Sequence, residues 1–327
     1  MDTDIRRITE LAVQKKEILT QIELEYEKVI VGQKSVYKYL MMGLLTGGHI
    51  LIEGLPGLAK TLSISTLAKI LDLDFNRIQF TPDMLPADIR GTLIYNQGSG
   101  NFEVKQGPVF TNFVLADEIN RAPAKVQAAL LEAMQEKTIT IGDNTYRLPD
   151  PFLVMATQNP IEQEGTYPLP EAQMDRFLLK VIAHYPTRAE EKRIISRMGG
   201  MIIPEPKKII SKEQVLDLQN FVKQIYADEK IMEYIVNLVY ATRDPEGVQI
   251  KSEYIRAGAS PRASLAFLKA AKAEAFFDGR AYVIPEDIKS VAHEVLRHRL
   301  LISFEAEAEG LTSDSLIDQI LQRVEIP

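Results

Sequence analysis

The sequence predicts an α/β domain built on a buried five-stranded parallel sheet, followed by a smaller all-helical domain. Three observations carry this. Five short apolar stretches, His49–Ile52, Asn76–Phe80, Phe113–Ala116, Phe152–Ala156 and Phe177–His184, are mostly separated by helical patterns, as strands buried on both faces of a parallel sheet are. From Thr187 the strand signal fades and helix starts take over. The length, 327 residues, exceeds one average domain. The expected division is 1–187 for the α/β core with its N-terminal helices and 188–327 for the helical part.

Taken in order, residues 4–28 are a charged helical stretch, and Gln33 to Leu45 form another helix with Val36, Leu40 and Leu44 on one face. Strands and helices then alternate to His184. Beyond the boundary, Ser211 to Gln214 reads as a capping box opening a long helix. Ser260-Pro261 and Pro285 start two more, with proline in the first turn, where its missing N–H costs nothing. Tyr282–Ile284 is at most an extended linker.

Composition excludes several classes. Zero cysteines rule out a disulfide framework, a thiolate metal site and a cysteine nucleophile. The first residues are acidic and lack the apolar core of a signal peptide. Nowhere do 18 apolar residues run together, so no membrane insertion is expected. A net charge of −7 argues against nucleic acid as the main ligand. The expected location is cytoplasmic.

The stretch from His49 to Thr61 carries the first chemistry. An apolar strand runs into Gly54-Leu55-Pro56-Gly57-Leu58-Ala59, and Lys60-Thr61-Leu62 open a helix. That order aims backbone N–H groups and a helix N-terminus at one anion. Lys60 adds a point charge for β- and γ-phosphates, and the Thr61 hydroxyl is placed to hold Mg²⁺. Ala59 stands where glycine is usual. Its methyl group calls for right-handed or extended backbone angles.

Phe113-Val-Leu-Ala116 is a buried strand with Asp117 and Glu118 at its C-terminal end, 57 residues after Lys60. Open α/β sheets place ligands at that edge. Two acids serve different needs: Asp117 can hold the metal shell, and Glu118 can orient and deprotonate an attacking water. A third strand ends in Ala156-Thr-Gln-Asn159-Pro. Asn159 is expected between the acid-bearing strand ends, where it can donate to the γ-phosphate or position the water. Together these describe hydrolysis of a nucleotide, not binding alone.

In this order the motifs resemble those of an AAA+ ATPase, and more narrowly the MoxR family, over residues 15–327. Its passages here are Val31-Gly32-Gln33, Gly54–Thr61, Gln79–Asp83, Ala116–Ala122, Gln127–Gln135, Ala156–Pro160, Gly165–Phe177 and Ala259–Ala263. Ala59, odd for phosphate loops in general, fits this family.

The resemblance implies further roles. Val31, Gly32 and Gln33 would lie against adenine, which favours ATP, and no Asn-Lys-x-Asp guanine motif is present. Arg176 matches an arginine finger reaching the γ-phosphate of a neighbouring subunit; its bland reading is a helix-end arginine paired with Asp175. Arg262 matches a second sensor, and Ser260-Pro261 put it in a helix's first turn, where a cation lacks dipole support and an anion would repair the mismatch. ATP would sit in the crevice between core and lid. The family implies a homo-oligomeric, hexameric ring and chaperone-like remodelling or maturation of a protein client, commonly with a von Willebrand factor A domain protein.

Two hairpins, Thr92–Lys105 and Lys137–Arg147, read either as client-facing projections or as edge hairpins that seal the subunit. His293 and His298 are five apart, off metal-ligand spacing, and suit a surface or capping role. Lys207-Lys208 and Arg297-His298-Arg299 read as solvated basic clusters, and Met41-Met42 as core. The rival functions are a nucleic-acid motor, which would want basic, aromatic-laced hairpins, and a nucleotide-sensing scaffold without turnover, against which Glu118 and Asn159 argue.

Overall fold

The apolar runs pair into one sheet because their backbone groups have nowhere else to bond once their side chains are buried. In the computed structural model, which describes residues 2–54, 57–159, 166–199 and 204–327, the chain divides into two units. An α/β unit takes Thr20–Gln173 and Val181–Asp217, and a helical unit takes the segment ending at Leu19, Met174–Lys180 and Leu218–Pro327.

In the α/β unit, helix α1 (Asp2–Val29, shared with the helical unit) and α2 (Lys34–Thr46) precede β1 (Ile50–Glu53). There follow α3 (Lys60–Ile70), β2 (Phe75–Gln79), α4 (Pro86–Arg90), the hairpin β3–β4 (Gly91–Asn96, Asn101–Gln106) and β5 (Phe113–Asp117). Helix α5 (Ala124–Glu136), the hairpin β6–β7 (Thr138–Ile141, Asn144–Arg147) and β8 (Leu153–Gln158) come next. Then come α6 (Glu171–Met174), β9 (Leu179–Ile182) and α7 (Arg188–Met198).

The parallel five-stranded sheet has the order β2-β5-β8-β1-β9, as the alternation predicted. Register pairs Ala116 with Ala156 and Glu53 with Gln158, so the strands end at one common edge. The central side chains Leu51, Leu115, Val154 and Met155 are fully buried. Burial of each such side chain is worth about 1.5–3 kcal/mol, and truncating Leu115 to alanine would cost about 2–5 kcal/mol. Met41 and Met42 are core residues.

The strand expected over Phe177–His184 is confined to Leu179–Ile182. Its first residues are diverted because the carbonyls of Phe177 and Leu178 accept hydrogen bonds from Arg299. The position expected for the domain boundary falls at Thr187, the N-cap of α7, whose hydroxyl accepts from Glu190 N.

The helical unit comprises most of α8 (Lys212–Gln224) and then α9 (Glu229–Ala241), α10 (Pro261–Phe277), α11 (Pro285–Ser290), α12 (Ala292–Leu296), α13 (Phe304–Ala308) and α14 (Ser313–Arg323). A short ribbon pairs β10 (Ile255–Ala257) with β11 (Leu301–Ile302). Ser211 N donates to the Gln214 side chain at 2.9 Å ahead of α8. Pro261 and Pro285 each occupy the first turn of their helices. Phe267 and Phe276 on α10 are fully buried.

Candidate nucleotide site

The β1–α3 connection is built for close approach. A side chain at Gly54 would meet the Ala183 Cβ at 2.9 Å, and Gly57 has φ +86°, so both positions require glycine. Leu55 and Pro56, expected in this loop, lie outside the described residues. Lys60 starts α3, and its Nζ donates to Gly54 O at 2.7 Å, folding the side chain back over the loop. Burial pulls the ammonium below the usual lysine range, while the carboxylates of Asp117 and Glu118 push the other way.

Ala59 does not have the right-handed or extended angles expected from its methyl group. It is left-handed, with φ 54° and ψ 25°. Its carbonyl accepts from Ser63 N at 2.8 Å, so it is the turn that launches α3 despite the roughly 1–2 kcal/mol disfavour of that region for an L-residue. Strain of this kind persists where surrounding structure over-determines it. A second left-handed residue is Glu118, with φ 57° and ψ 49°, at the end of the acid-bearing strand.

Because β8 lies between β1 and β5, Asn159, one residue past its end, follows the strand flanked by β1, which leads into the Lys60 loop, on one side and by β5, which ends in Asp117, on the other. Thr157, buried on β8, ties the edge together: its hydroxyl donates to Asp117 Oδ1 at 2.6 Å and accepts from Glu118 N at 2.9 Å. Asp117 Oδ2 accepts from Arg77 Nη2 at 2.7 Å. The Glu118 carboxylate accepts from Gln79 Nε2 at 3.0 Å and pairs with Arg121 Nε at 2.7 Å. Thr157, Arg77, Gln79 and Arg121 were not singled out from the sequence. Parallel pairing of Gln79 with Asp117 brings two of them in, and strand order alone could have signalled it.

Among the described residues no three acidic or imidazole side chains converge on a metal position. A carboxylate oxygen has two acceptor directions, so Asp117 keeps capacity beyond Thr157 and Arg77. One carboxylate with a threonine hydroxyl, completed by phosphate oxygens and water, is the donor set Mg²⁺ takes beside a nucleotide. Thr61 and Asp117 fit that ion.

Ahead of α2, Val31 is buried and Gly32 has φ +73°, and a side chain at Gly32 would meet Glu190 Oε1 at 2.9 Å. Gln33 is also left-handed and donates from Nε2 to His184 O at 3.3 Å. The loop thus packs on the turn that leads into α7.

Arg176 and Arg262 belong to the helical unit. Asp175 is not simply the partner of Arg176: Oδ1 accepts from Arg299 Nε at 2.7 Å, and Oδ2 accepts from Ser260 Oγ at 2.7 Å and lies 3.7 Å from Arg262 Nη1. The anion expected to repair Arg262's place in the first turn of α10 is therefore supplied in part by Asp175.

The Arg297-His298-Arg299 run is not a solvated cluster. His298 and Arg299 are buried, and His298 Nε2 donates to Phe177 O at 3.1 Å. Arg299 Nη2 donates to Phe177 O at 2.6 Å and to Asp175 O at 3.2 Å. Arg297 Nη1 donates to Lys180 O at 3.0 Å. A charged residue buried this deeply needs partners, and the backbone around Arg176 provides them. Burial and the adjacent Arg299 charge hold the His298 imidazole well below its ordinary range. His293 instead pairs with Asp318 at 3.0 Å, more at the surface.

The hairpins differ. Ile139 and Ile141 of β6 are buried, whereas β3–β4 exposes Leu93, Ile94, Tyr95 and Phe102. Tyr95 and Phe102 face each other across the strands, ring centroids 5.4 Å apart. No helix among the described residues is long and apolar enough to cross a membrane.

Comparison with known proteins agrees with this geometry. Residues 49–179 match the ATPase family associated with various cellular activities (AAA), and residues 248–320 match the AAA lid domain. Chaperone MoxR1 of Mycobacterium tuberculosis is 50% identical over 93% of this chain and 81% of its own. The uncharacterized protein YeaC of Bacillus subtilis is 45% identical over 92% of both chains. Protein MoxR of Paracoccus denitrificans is 30% identical over 91% of this chain and 93% of its own. A crystal structure from Cytophaga hutchinsonii, described as a candidate ATPase, superposes with a TM-score of 0.93 at 52% identity over 99% of both chains. A phosphate loop, an acid-bearing strand end and a lid, matched in order by relatives of this similarity, make the chain an ATPase of the MoxR family of AAA+ proteins.

Proposed function

We propose that this ATPase is a Mg²⁺-dependent, ring-forming machine that couples ATP hydrolysis to remodelling or maturation of a protein partner. The observation that carries the chemistry is the hydroxyl of Thr157, which joins Asp117 and Glu118 on the strand next to β1. Lys60, released from Gly54 O, binds the β- and γ-phosphates with the backbone N–H groups of residues 57–62. Thr61 and Asp117 would hold Mg²⁺, whose charge offsets that developing on the transferring phosphoryl group. Glu118 takes a proton from the attacking water as its oxygen bonds to the γ-phosphorus and the bond to the ADP oxygen breaks, while Asn159 orients the water. Arg262 binds the γ-phosphate in its own subunit, and Arg176 acts on the nucleotide of a neighbour, a contribution worth about 10³–10⁵ in rate for such fingers. Val31, Gly32 and Gln33 receive adenine.

The exposed Tyr95–Phe102 pair on β3–β4 supports a client-contacting role for that hairpin, since exposed aromatics clustered on a projection mark interaction sites. Chaperone naming of the Mycobacterium relative supports a protein client, with a von Willebrand factor A domain protein as adaptor, a hexameric ring and a cytoplasmic setting following from the family resemblance. The nucleic-acid reading is weaker, because Lys105 and Arg147 of the hairpins are offset by Glu103 and Asp143.

The test is phosphate release by wild-type protein and by Glu118→Gln. Wild-type turnover is expected, and the variant should lose about 10²–10⁴ of it while still binding ATP. A variant as active as wild type would remove Glu118 from the role of base. Capture of a protein by the ATP-held variant supports remodelling, and stimulation of turnover by DNA instead would favour the motor.

A further inference from the structure

The functional reading leaves Asp175 and the Arg297–Arg299 run without a part. Arg299 is 6% exposed, and its fork reaches the Asp175 carboxylate and the carbonyls of Asp175, Phe177, Leu178 and Val295. With His298 on Phe177 O and Arg297 on Lys180 O, these donors bracket Arg176 on both sides. The position of the backbone on both sides of Arg176 is thus set by these bonds. The other oxygen of Asp175 faces α10, where it accepts from Ser260 Oγ and lies 3.7 Å from Arg262 Nη1. The same Ser260 Oγ accepts from Arg262 N at 3.2 Å.

One carboxylate therefore joins the residue read as a cis phosphate sensor to the segment that bears the residue read as the finger. We propose that Asp175 is a positioning residue: it competes with phosphate for Arg262, and transfer of Arg262 from Asp175 to the nucleotide resets the finger segment that this subunit offers to its neighbour. Arg262 is half exposed, 48% for its side chain, whereas Arg299 is not, 3%. The contact to Arg262 is the one that can exchange, and the contact to Arg299 is the fixed anchor. A solvent-facing ion pair at this distance is weak, as an exchangeable contact must be. A buried pair losing one partner is costly, as an anchor must be.

This rests on the reading of Arg262 as a γ-phosphate ligand and Arg176 as a finger. The distinguishing signature is opposite movement of binding and turnover. Asp175→Asn removes the anionic competitor, so ATP should bind about two- to fivefold more tightly, while kcat falls about tenfold or more because the finger segment loses its registration. In an Arg262→Ala background the same substitution should leave ATP affinity unmoved. Ser260→Ala, which keeps the Asp175–Arg299 anchor and frees Oδ2 for Arg262 alone, should weaken ATP binding, and it serves if Asp175→Asn does not fold. Affinity is read with a fluorescent ATP analogue and turnover by phosphate release, on full-length protein, with Arg176→Ala alongside. If Arg176→Ala abolishes turnover but Asp175→Asn changes neither affinity nor kcat, or tightens binding equally without Arg262, the proposal falls and the finger stands. If Arg176→Ala leaves turnover intact, the finger reading falls and takes the proposal with it.

Discussion

The Thr157 hydroxyl and the Asp117 carboxylate lie 2.6 Å apart on adjacent parallel strands, and the same hydroxyl receives the N–H of Glu118. A buried threonine thus sets the orientation of one acid and the backbone of the next.

Thr157→Val keeps the shape and removes both bonds. It leaves Glu118 N without its acceptor and should cost about 1–3 kcal/mol of stability. It should also raise the Mg²⁺ concentration needed for half-maximal phosphate release. Thermal melts and a Mg²⁺ titration check the two effects separately, and an unshifted titration would confine Thr157 to stability.

Ala59→Gly removes a methyl group from a left-handed position. Relief of about 1 kcal/mol should raise the melting temperature by about 2–4 °C. A lower melting temperature would mean that the methyl group packs more favourably than the backbone suffers.

His298 sets a pH dependence. Unfolded, it takes a proton near pH 6.5; folded, burial and Arg299 delay that to much lower pH. Below about pH 6.5 the unfolded chain binds the extra proton, so stability falls as pH falls, by up to about 1.4 kcal/mol per pH unit, until the folded group protonates too. Above pH 6.5 the contribution is whole. Denaturant unfolding from pH 7.5 to 5 should show this slope in wild type and a smaller one in His298→Gln, whose amide can still donate to Phe177 O.

Lys60→Ala should abolish ATP binding and Arg176→Ala should spare it while removing turnover. If the finger acts in trans, mixing the two inactive proteins restores part of the activity, because an intact phosphate loop from one meets an intact finger from the other. Mixtures that stay inactive despite co-assembly would place Arg176 in cis.

Much of the core of this site was legible in the sequence because its parts are local. A phosphate loop needs glycines and a lysine at fixed spacing, and Asp117 and Glu118 need only a strand before them. The rest depends on non-local pairing. Thr157 gains meaning only once β8 is known to lie against β5, and Arg77 and Gln79 only once β2 joins the other side. Arg297-His298-Arg299 looked like a surface cluster because three polar residues in a row carry no sign of burial; their acceptors lie about 120 residues earlier, at Phe177 and Leu178. Ala59 misled for the opposite reason. Its side chain argued against a left-handed turn, and the start of α3 overrode that local preference.

The return of residues 174–180 to the helical unit has a practical meaning for dissecting the protein. No single scission of the polypeptide separates it into two self-sufficient halves. A break beyond Asp217 would release a C-terminal fragment in which Arg299 keeps the Val295 carbonyl but loses the Asp175 carboxylate and the carbonyls of Asp175, Phe177 and Leu178. The N-terminal fragment would keep Asp175 and Phe177 with their donors gone. Recognition by sequence draws this chain as two beads on a string, yet the string is threaded back through the second bead, and neither can be taken off whole.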